Sequence, residues 1–158
     1  MKIDFVSDIA CPWCVVGLYA LEEALRRVGP DVPVELHFQP FELNPQMPPE
    51  GEDAAEHIAR KYGASPAQLA QTREALRQRG AELGFEFGAR ARVWNTFDAH
   101  RLLHWAGLEG RQAELKHALL KAYHQDGLDP GKLEVLLPLC AAAGLDGQRA
   151  REILQGDE

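Results

Sequence analysis

The sequence Cys11-Pro12-Trp13-Cys14 constrains this chain more than any other stretch. It follows a short run of alternating apolar and polar residues (2–6), and it opens a segment with apolar residues at helical spacing that ends at Gly29. The pattern predicts a β-strand that delivers two cysteines to the first turn of an α-helix. Pro12 suits the first helical position, because that position does not need a backbone N–H.

Two cysteines three residues apart on a first helical turn predict redox chemistry. Their sulfurs lie on nearly the same side of the turn, close enough for a disulfide ring. The unpaired N–H groups and the positive end of the helix dipole favour a thiolate there. A thiol that ionises easily and has a partner is the chemistry of disulfide exchange. We therefore predict that Cys11 is the nucleophile, that Cys14 is the resolving thiol, and that Pro12 and Trp13 tune the pair.

The cysteine pair has two other interpretations, a zinc site and plain packing. A zinc site would need two more ligands, and the third cysteine, Cys140, has no second cysteine or histidine close to it in the sequence. Plain packing would not require a pair at a strand-to-helix junction. Cys140 lies among leucines and alanines, which predicts an inert core thiol. The redox interpretation of Cys11 and Cys14 is the favoured one.

The segment after the first helix predicts a second strand and a loop. Residues 34–38 alternate between apolar and polar, so that strand, helix and strand form a right-handed βαβ unit. The proline-rich residues 41–49 must form a loop at the end of the sheet that presents Cys11. Phe41, Leu43 and Asn44 in this loop are candidate walls of a substrate site, and a simple exit loop is an equal alternative.

From Asp53 onward the pattern is helical. A helix is expected from Asp129-Pro130 to Ala143, and Pro138 should kink or split it. His100 and His104 have the spacing of a helical metal pair but lack the glutamate of a metalloprotease motif. Two polar positions beside a leucine stripe are the favoured interpretation, and no metal site is predicted.

Three separated motifs carry a resemblance to a known family. They are the strand followed by Ser-Asp and C-P-W-C, then Phe41-Glu42-Leu43-Asn44-Pro45, and later the stretch from Asn95 to Leu102. Together they resemble the FrnE-type branch of the DsbA-like thioredoxin superfamily. That branch is related to the 2-hydroxychromene-2-carboxylate isomerases and kappa-class glutathione transferases. The resemblance runs along essentially the whole chain.

The resemblance implies a fold and an activity. The fold is α/β and thioredoxin-like, with an N-terminal βαβ part (1–45) and a large helical insertion (46–158). The activity is thiol–disulfide oxidoreduction, and Asn95 and Thr96 are placed near the active site. The isomerase and transferase relatives typically carry serine where Cys11 stands, which favours an oxidoreductase here. A glutathione-dependent isomerase or transferase and a non-catalytic module are the alternatives.

The resemblance also predicts elements that the sequence does not show. In the family, later strands follow a cis-proline that packs against the cysteine pair, and no such segment follows Asp146. We therefore expect a fold without its C-terminal strands and helix, in which the competence of the redox pair is in question. A strand edge left open in this way predicts a chain that is unstable alone or associated, for example as a homodimer.

The net charge and the hydropathy of the chain limit the classes of binding partner that it can have. With 17 basic and 24 acidic side chains, the net charge is −7, which argues against nucleic acid or an anionic membrane as a partner. No apolar run reaches the ~20 residues that span a bilayer, and the N-terminus has a strand pattern rather than a signal peptide. We expect a cytoplasmic protein that acts on thiol or disulfide substrates, protein or small. No cofactor beyond the redox-active disulfide is predicted, and glutathione is a candidate co-substrate.

Overall fold

A βαβ unit opens the chain and presents the cysteine pair. The structure, a computed structural model, describes residues 1–157. Strand β1 (Lys2–Ser7), helix α1 (Pro12–Val28) and strand β2 (Glu35–Pro40) follow one another, and the two strands pair in parallel. The rings of Phe5 and Phe38 are register partners and meet edge to face, with centroids 6.1 Å apart. The predicted strands and crossover helix are confirmed.

Helices make up most of the remaining chain. Six follow α1 within residues 1–157: α2 (Ala54–Tyr62), α3 (Pro66–Glu82), α4 (Phe97–Leu108), α5 (Gln112–His124), α6 (Leu133–Ala142) and α7 (Gly147–Gln155). Asp53 and Asp146 cap α2 and α7 with their carboxylates, and Ser65 forms a full capping box with Gln68 at the start of α3. No helix in the described part of the chain is both long and apolar enough to cross a bilayer.

Three details of the structure go beyond or differ from the sequence prediction. Strands β3 (Glu52–Asp53) and β4 (Arg92–Val93) form a short antiparallel pair, and two residues are too few to show an alternating pattern. Helix α6 contains Pro138 and is not split there, since a proline removes only the single bond to the fourth residue before it; the alternative expectation of a kink stays a prediction. The helix also begins later than expected, because the Asp129 carboxylate accepts the Gly131 N–H and forms a turn instead.

Helices α4 and α5 close the outer edge of the parallel pair. The amide of Gln112 accepts the N–H of Phe38 at 3.0 Å and donates to its carbonyl at 3.0 Å, so that one side chain occupies the place of a strand. Within residues 1–157, β1 pairs only with β2. A continuous core joins β2 and α1 to α4 through α7. The domain boundary at residue 45 stays a prediction.

Candidate active site

Cys11 is the N-cap of α1, and Pro12 is its first residue. Cys11 has an extended backbone (φ −85°, ψ 110°), and its N–H donates to the carbonyl of Asp8 at 3.3 Å. The N–H of Cys14 donates to the Cys11 carbonyl at 3.2 Å, which completes the first turn. Both cysteines are free thiols and half-buried. The strand-to-helix junction thus presents both cysteines in the first turn of α1.

The two thiols have opposite acidities. The Cys14 thiol donates to the Cys11 sulfur, and this bond, aided by the N–H groups of Trp13 and Cys14 that point toward it, lowers the pKa of Cys11 to about 6 against the effect of burial. The same thiol–thiol hydrogen bond, together with burial, raises the pKa of Cys14. Near neutral pH, Cys11 is therefore a thiolate and Cys14 keeps its proton.

The loop before Cys11, residues 7–10, is held by side chains from distant parts of the chain. Each of its four residues receives at least one such hydrogen bond. The donors are Lys116 Nζ to Ser7 Oγ (2.8 Å), Thr96 Oγ1 and His100 Nε2 to Asp8 Oδ1 (2.7 and 3.1 Å), His124 Nε2 to the Ile9 carbonyl (2.7 Å) and Arg90 Nη2 to the Ala10 carbonyl (3.5 Å). Side chains from residues 90–124 therefore fix the geometry of the redox loop.

Asp8 is the centre of this arrangement and is 1% exposed. Burial raises the pKa of its carboxyl, but the hydrogen bonds from His100, the Leu43 N–H and Thr96 outweigh burial and hold it below the usual range. Its Oδ2 accepts the Leu43 N–H at 2.7 Å. The ionised carboxylate therefore ties the loop before Cys11 to the loop after β2.

Lys116 is a buried amine beside the cysteines, only 1% exposed. Burial lowers its pKa to about 8, although the negative charge of the cysteine pair and of Asp8 acts in the opposite direction. The role of Lys116 is not apparent from the sequence, because a lysine on an amphipathic helix is normally assigned to the solvent face. A basic residue directly after Leu115, which lies on the apolar face, was the available signal.

His100 does not fit its predicted role as a surface residue beside a leucine stripe. It is buried and donates to Asp8, because α4 lies with this face against loop 7–10. His104, one turn later, is exposed. No group of three or more His, Cys, Asp or Glu side chains that could hold a metal occurs within residues 1–157.

A cavity of about 380 Å³, here called the Cys11 cavity, lies between the start of α1 and helices α2 and α3. Cys11, Pro12 and Trp13 form one side, and the Trp13 side chain is 50% exposed. The remaining wall consists of Ala10, Leu43, Asn44, Ala54, His57, Ile58, Tyr62, Ala64, Leu69, Thr72, Arg73, Leu76, Arg90 and Val93. Most of the cavity surface is apolar, and Cys11 itself forms part of the cavity wall.

The structure brings together only part of the predicted substrate-site wall. Leu43 and Asn44 line the Cys11 cavity. Phe41 lies in a separate groove with Phe97 and is 52% exposed. Asn95 donates to the Met47 carbonyl, and its own oxygen accepts the Phe97 N–H at the start of α4. Thr96, the N-cap by position, gives its hydroxyl to Asp8 instead of capping the helix.

Comparison with known proteins identifies the family. The family model described as the DSBA-like thioredoxin domain matches residues 2–158. The chain belongs to the DsbA-like thioredoxin domain family. The predicted thioredoxin-like α/β fold and the predicted family are therefore confirmed, and assignment of this DsbA-like chain to the FrnE-type branch stays a prediction.

Individual relatives agree with this assignment. A probable DsbA oxidoreductase from Streptomyces coelicolor superposes with a TM-score of 0.85 at 32% identity, over 99% of this chain and 68% of that one. The uncharacterized protein YwbO of Bacillus subtilis (strain 168) is 26% identical over 98% of this chain and 72% of its own length. A 2-hydroxychromene-2-carboxylate isomerase shares the fold (TM-score 0.71, 16% identity, 99% and 72% coverage).

The third cysteine of this DsbA-like chain differs from the pair in burial and acidity. Cys140 lies on the buried face of α6 and is 0% exposed, and burial raises its pKa to about 11. A buried, protonated thiol reacts slowly with alkylating reagents. The structure therefore places Cys140 in the core, as the sequence predicts, and its inertness toward reagents stays a prediction.

Proposed function

We propose that the chain is a thiol–disulfide oxidoreductase that works through Cys11 and Cys14. The observation that carries the proposal is the thiol hydrogen bond from Cys14 to Cys11 at the start of α1, which stabilises one thiolate and keeps its partner protonated. Membership of the DsbA-like family supports it. Cys11 also opens onto a cavity large enough for a small substrate.

The exchange proceeds in two displacement steps. The Cys11 thiolate attacks one sulfur of a substrate disulfide, which forms a mixed disulfide and releases the other half of the substrate as a thiolate. Cys14 then loses its proton, and its sulfur attacks Cys11. This step closes the Cys11–Cys14 disulfide and releases the remaining substrate thiolate. The dithiol has given two electrons to the substrate, and the same steps in reverse oxidise a dithiol.

Two variants test the roles of the cysteines. Cys11→Ser should abolish the reduction of insulin disulfides by the protein. Cys14→Ser should stop turnover and accumulate mixed disulfides at Cys11, detectable by non-reducing electrophoresis and mass spectrometry. Cys140→Ala is the matched control and should retain full activity. Faster alkylation of Cys14 than of Cys11 would reverse the assignment of nucleophile and resolving thiol.

A glutathione-dependent isomerase or transferase is the second candidate, and the apolar wall of the Cys11 cavity favours it. Such a reaction would need one activated thiol and a bound organic substrate, with glutathione as co-substrate. It should therefore survive Cys14→Ser, whereas disulfide exchange requires both cysteines. Under either activity, thiol or disulfide substrates in the cytoplasm are the partners we propose.

A further inference from the structure

The wall of the Cys11 cavity has an unusual charge. The chain as a whole has a net charge of −7, yet none of the residues that line this cavity is an aspartate or a glutamate. Arg73 and Arg90 both belong to the wall, as does the buried His57, which pairs with the Glu52 carboxylate outside the cavity lining. A cation-lined recess beside a nucleophile attracts anionic ligands and disfavours cationic ones.

Arg90 is a partly buried cation whose hydrogen bonding is incomplete. Its Nε is buried and has no hydrogen-bond partner among the residues that the structure describes. Its Nη2 reaches the Ala10 carbonyl at 3.5 Å, the outer limit of a hydrogen bond, and no carboxylate of residues 1–157 forms an ion pair with it. A guanidinium stays charged even when it is partly buried. Arg90 also lines the Cys11 cavity, so its Nη groups can donate to a carboxylate of a ligand, which a guanidinium can contact with two parallel bonds.

The rest of the cavity accepts an apolar body. Leu43, Ile58, Leu69 and Leu76 line it, and the exposed Trp13 ring stands at the side of the nucleophile. A volume of about 380 Å³ lies in the range of small-molecule sites, ~300–1,000 Å³, and is too small for a folded partner. The ligand that matches this cavity is therefore a small molecule with an apolar body and one anionic end.

We propose that the Cys11 cavity selects low-molecular-weight disulfides that carry a carboxylate on an apolar body, and that Arg90 binds this carboxylate while Cys11 attacks the disulfide. The inference rests on the proposed oxidoreductase function and names the substrate class of that same site. The bonds formed and broken are those of the exchange described above. Arg73, close enough that its charge acts on Arg90, adds to the attraction from the rim of the cavity.

The test compares two aromatic disulfides that differ in charge. 5,5′-Dithiobis(2-nitrobenzoate) carries carboxylates, 4,4′-dithiodipyridine is neutral, and both release a coloured thiolate or thione when Cys11 attacks them. Second-order rate constants are measured for the reduced protein under single-turnover conditions at pH 8. The ratio of the two constants cancels any change in the nucleophilicity of Cys11. Arg90→Met should lower this ratio by ~10- to 100-fold, because a hydrogen-bonded charge pair to the ligand is lost.

Two further variants keep the test decisive. Arg73→Met changes an exposed side chain on α3, and it should lower the ratio by a smaller factor. Arg77→Met on the same helix removes an equal charge from a residue that pairs with Glu74 outside the Cys11 cavity, so it should leave the ratio unchanged. An unchanged ratio in both Arg90→Met and Arg73→Met, or an equal fall in Arg77→Met, would overturn the inference.

A measurement on the unaltered protein covers the case in which Arg90→Met does not fold. 2-Naphthoate should protect Cys11 against the neutral reagent iodoacetamide, and its uncharged analogue 2-naphthamide should protect it less. Equal protection by the two compounds would overturn the inference. The proposed function fails separately: a wild-type protein that reacts with neither disulfide is not an oxidoreductase, whatever its charge preference.

Discussion

The hydroxyl of Thr96 donates a 2.7 Å hydrogen bond to Oδ1 of Asp8 across 88 residues of chain. Both residues are buried, and the acceptor is an ionised carboxylate. Thr96→Val keeps the shape of the side chain and removes the donor, so it should lower the free energy of unfolding by about 1.5–3 kcal/mol. Urea denaturation at pH 7 measures the change.

Two controls isolate the hydrogen bond of Thr96. Thr96→Ser keeps the hydroxyl and should recover most of the lost stability. Thr72→Val makes the same substitution at an exposed position on α3 and should be nearly neutral. If Thr72→Val and Thr96→Val cost the same, the bond to Asp8 does not stabilise the fold.

The acidity of Cys11 predicts two pH profiles. The rate of its alkylation by iodoacetamide should rise with a midpoint near pH 6 in the reduced protein, and Cys14→Ala should move that midpoint upward because the thiol donor is lost. The folded pKa lies below the unfolded value of about 8.5. The reduced protein should therefore gain stability from this group as the pH rises from 6 toward 8.5, and lose it as the pH falls through 6. A midpoint near 8.5 in the folded protein would contradict the prediction.

The buried amine of Lys116 should change the free energy of unfolding at alkaline pH. Burial lowers its pKa to about 8, so between pH 8 and roughly 10.4 the unfolded chain holds a proton there that the folded chain has released. Stability from this group should rise with pH across that window. Lys116→Met should abolish this contribution. The free energy of unfolding in urea is measured for both proteins at pH 7.5 and pH 10, and it should rise more between these pH values in the wild type than in the variant. Lys121→Met, at an exposed position on the same helix, should leave the profile unchanged.

The hydrogen bonds between the Gln112 side chain and the Phe38 backbone should stabilise the edge of β2. Gln112→Met removes both partners of the Phe38 peptide groups, which should cost about 1–3 kcal/mol and speed hydrogen exchange of the Phe38 N–H. Gln71→Met, exposed on α3, is the control and should change neither quantity. Unaltered exchange at Phe38 would show that the side chain does not close the strand edge in solution.

Local signals in the sequence accounted for the parts of the site that are contiguous. The cysteine pair, the Pro12 start of α1 and the caps of α2, α3 and α7 each depend on residues within one turn of one another. Such short-range chemistry is visible in a single sequence. The same holds for the pairing of β1 with β2, whose alternation and connection length left one arrangement.

Contacts between residues that are far apart in the sequence could not be predicted from local patterns. His100, Lys116 and His124 contact loop 7–10 from helices whose packing decides which face turns inward, and each was assigned a polar or metal-related surface role or none. Arg90 lies in an irregular segment with no periodic pattern at all. Tertiary packing, rather than any local propensity, puts these side chains beside the cysteines.

The hydrogen bonds from distant residues to loop 7–10 also impose an order of events during biosynthesis. Cys11 and Cys14 leave the ribosome early, but the His124 side chain that fixes Ile9 follows 115 residues later in the sequence. At the usual rates of translation, this interval is on the order of ten seconds. Throughout it the two thiols emerge on a strand and helix start that lack their distant supports. The loop geometry that precedes Cys11 is therefore complete only after residue 124 has been synthesised.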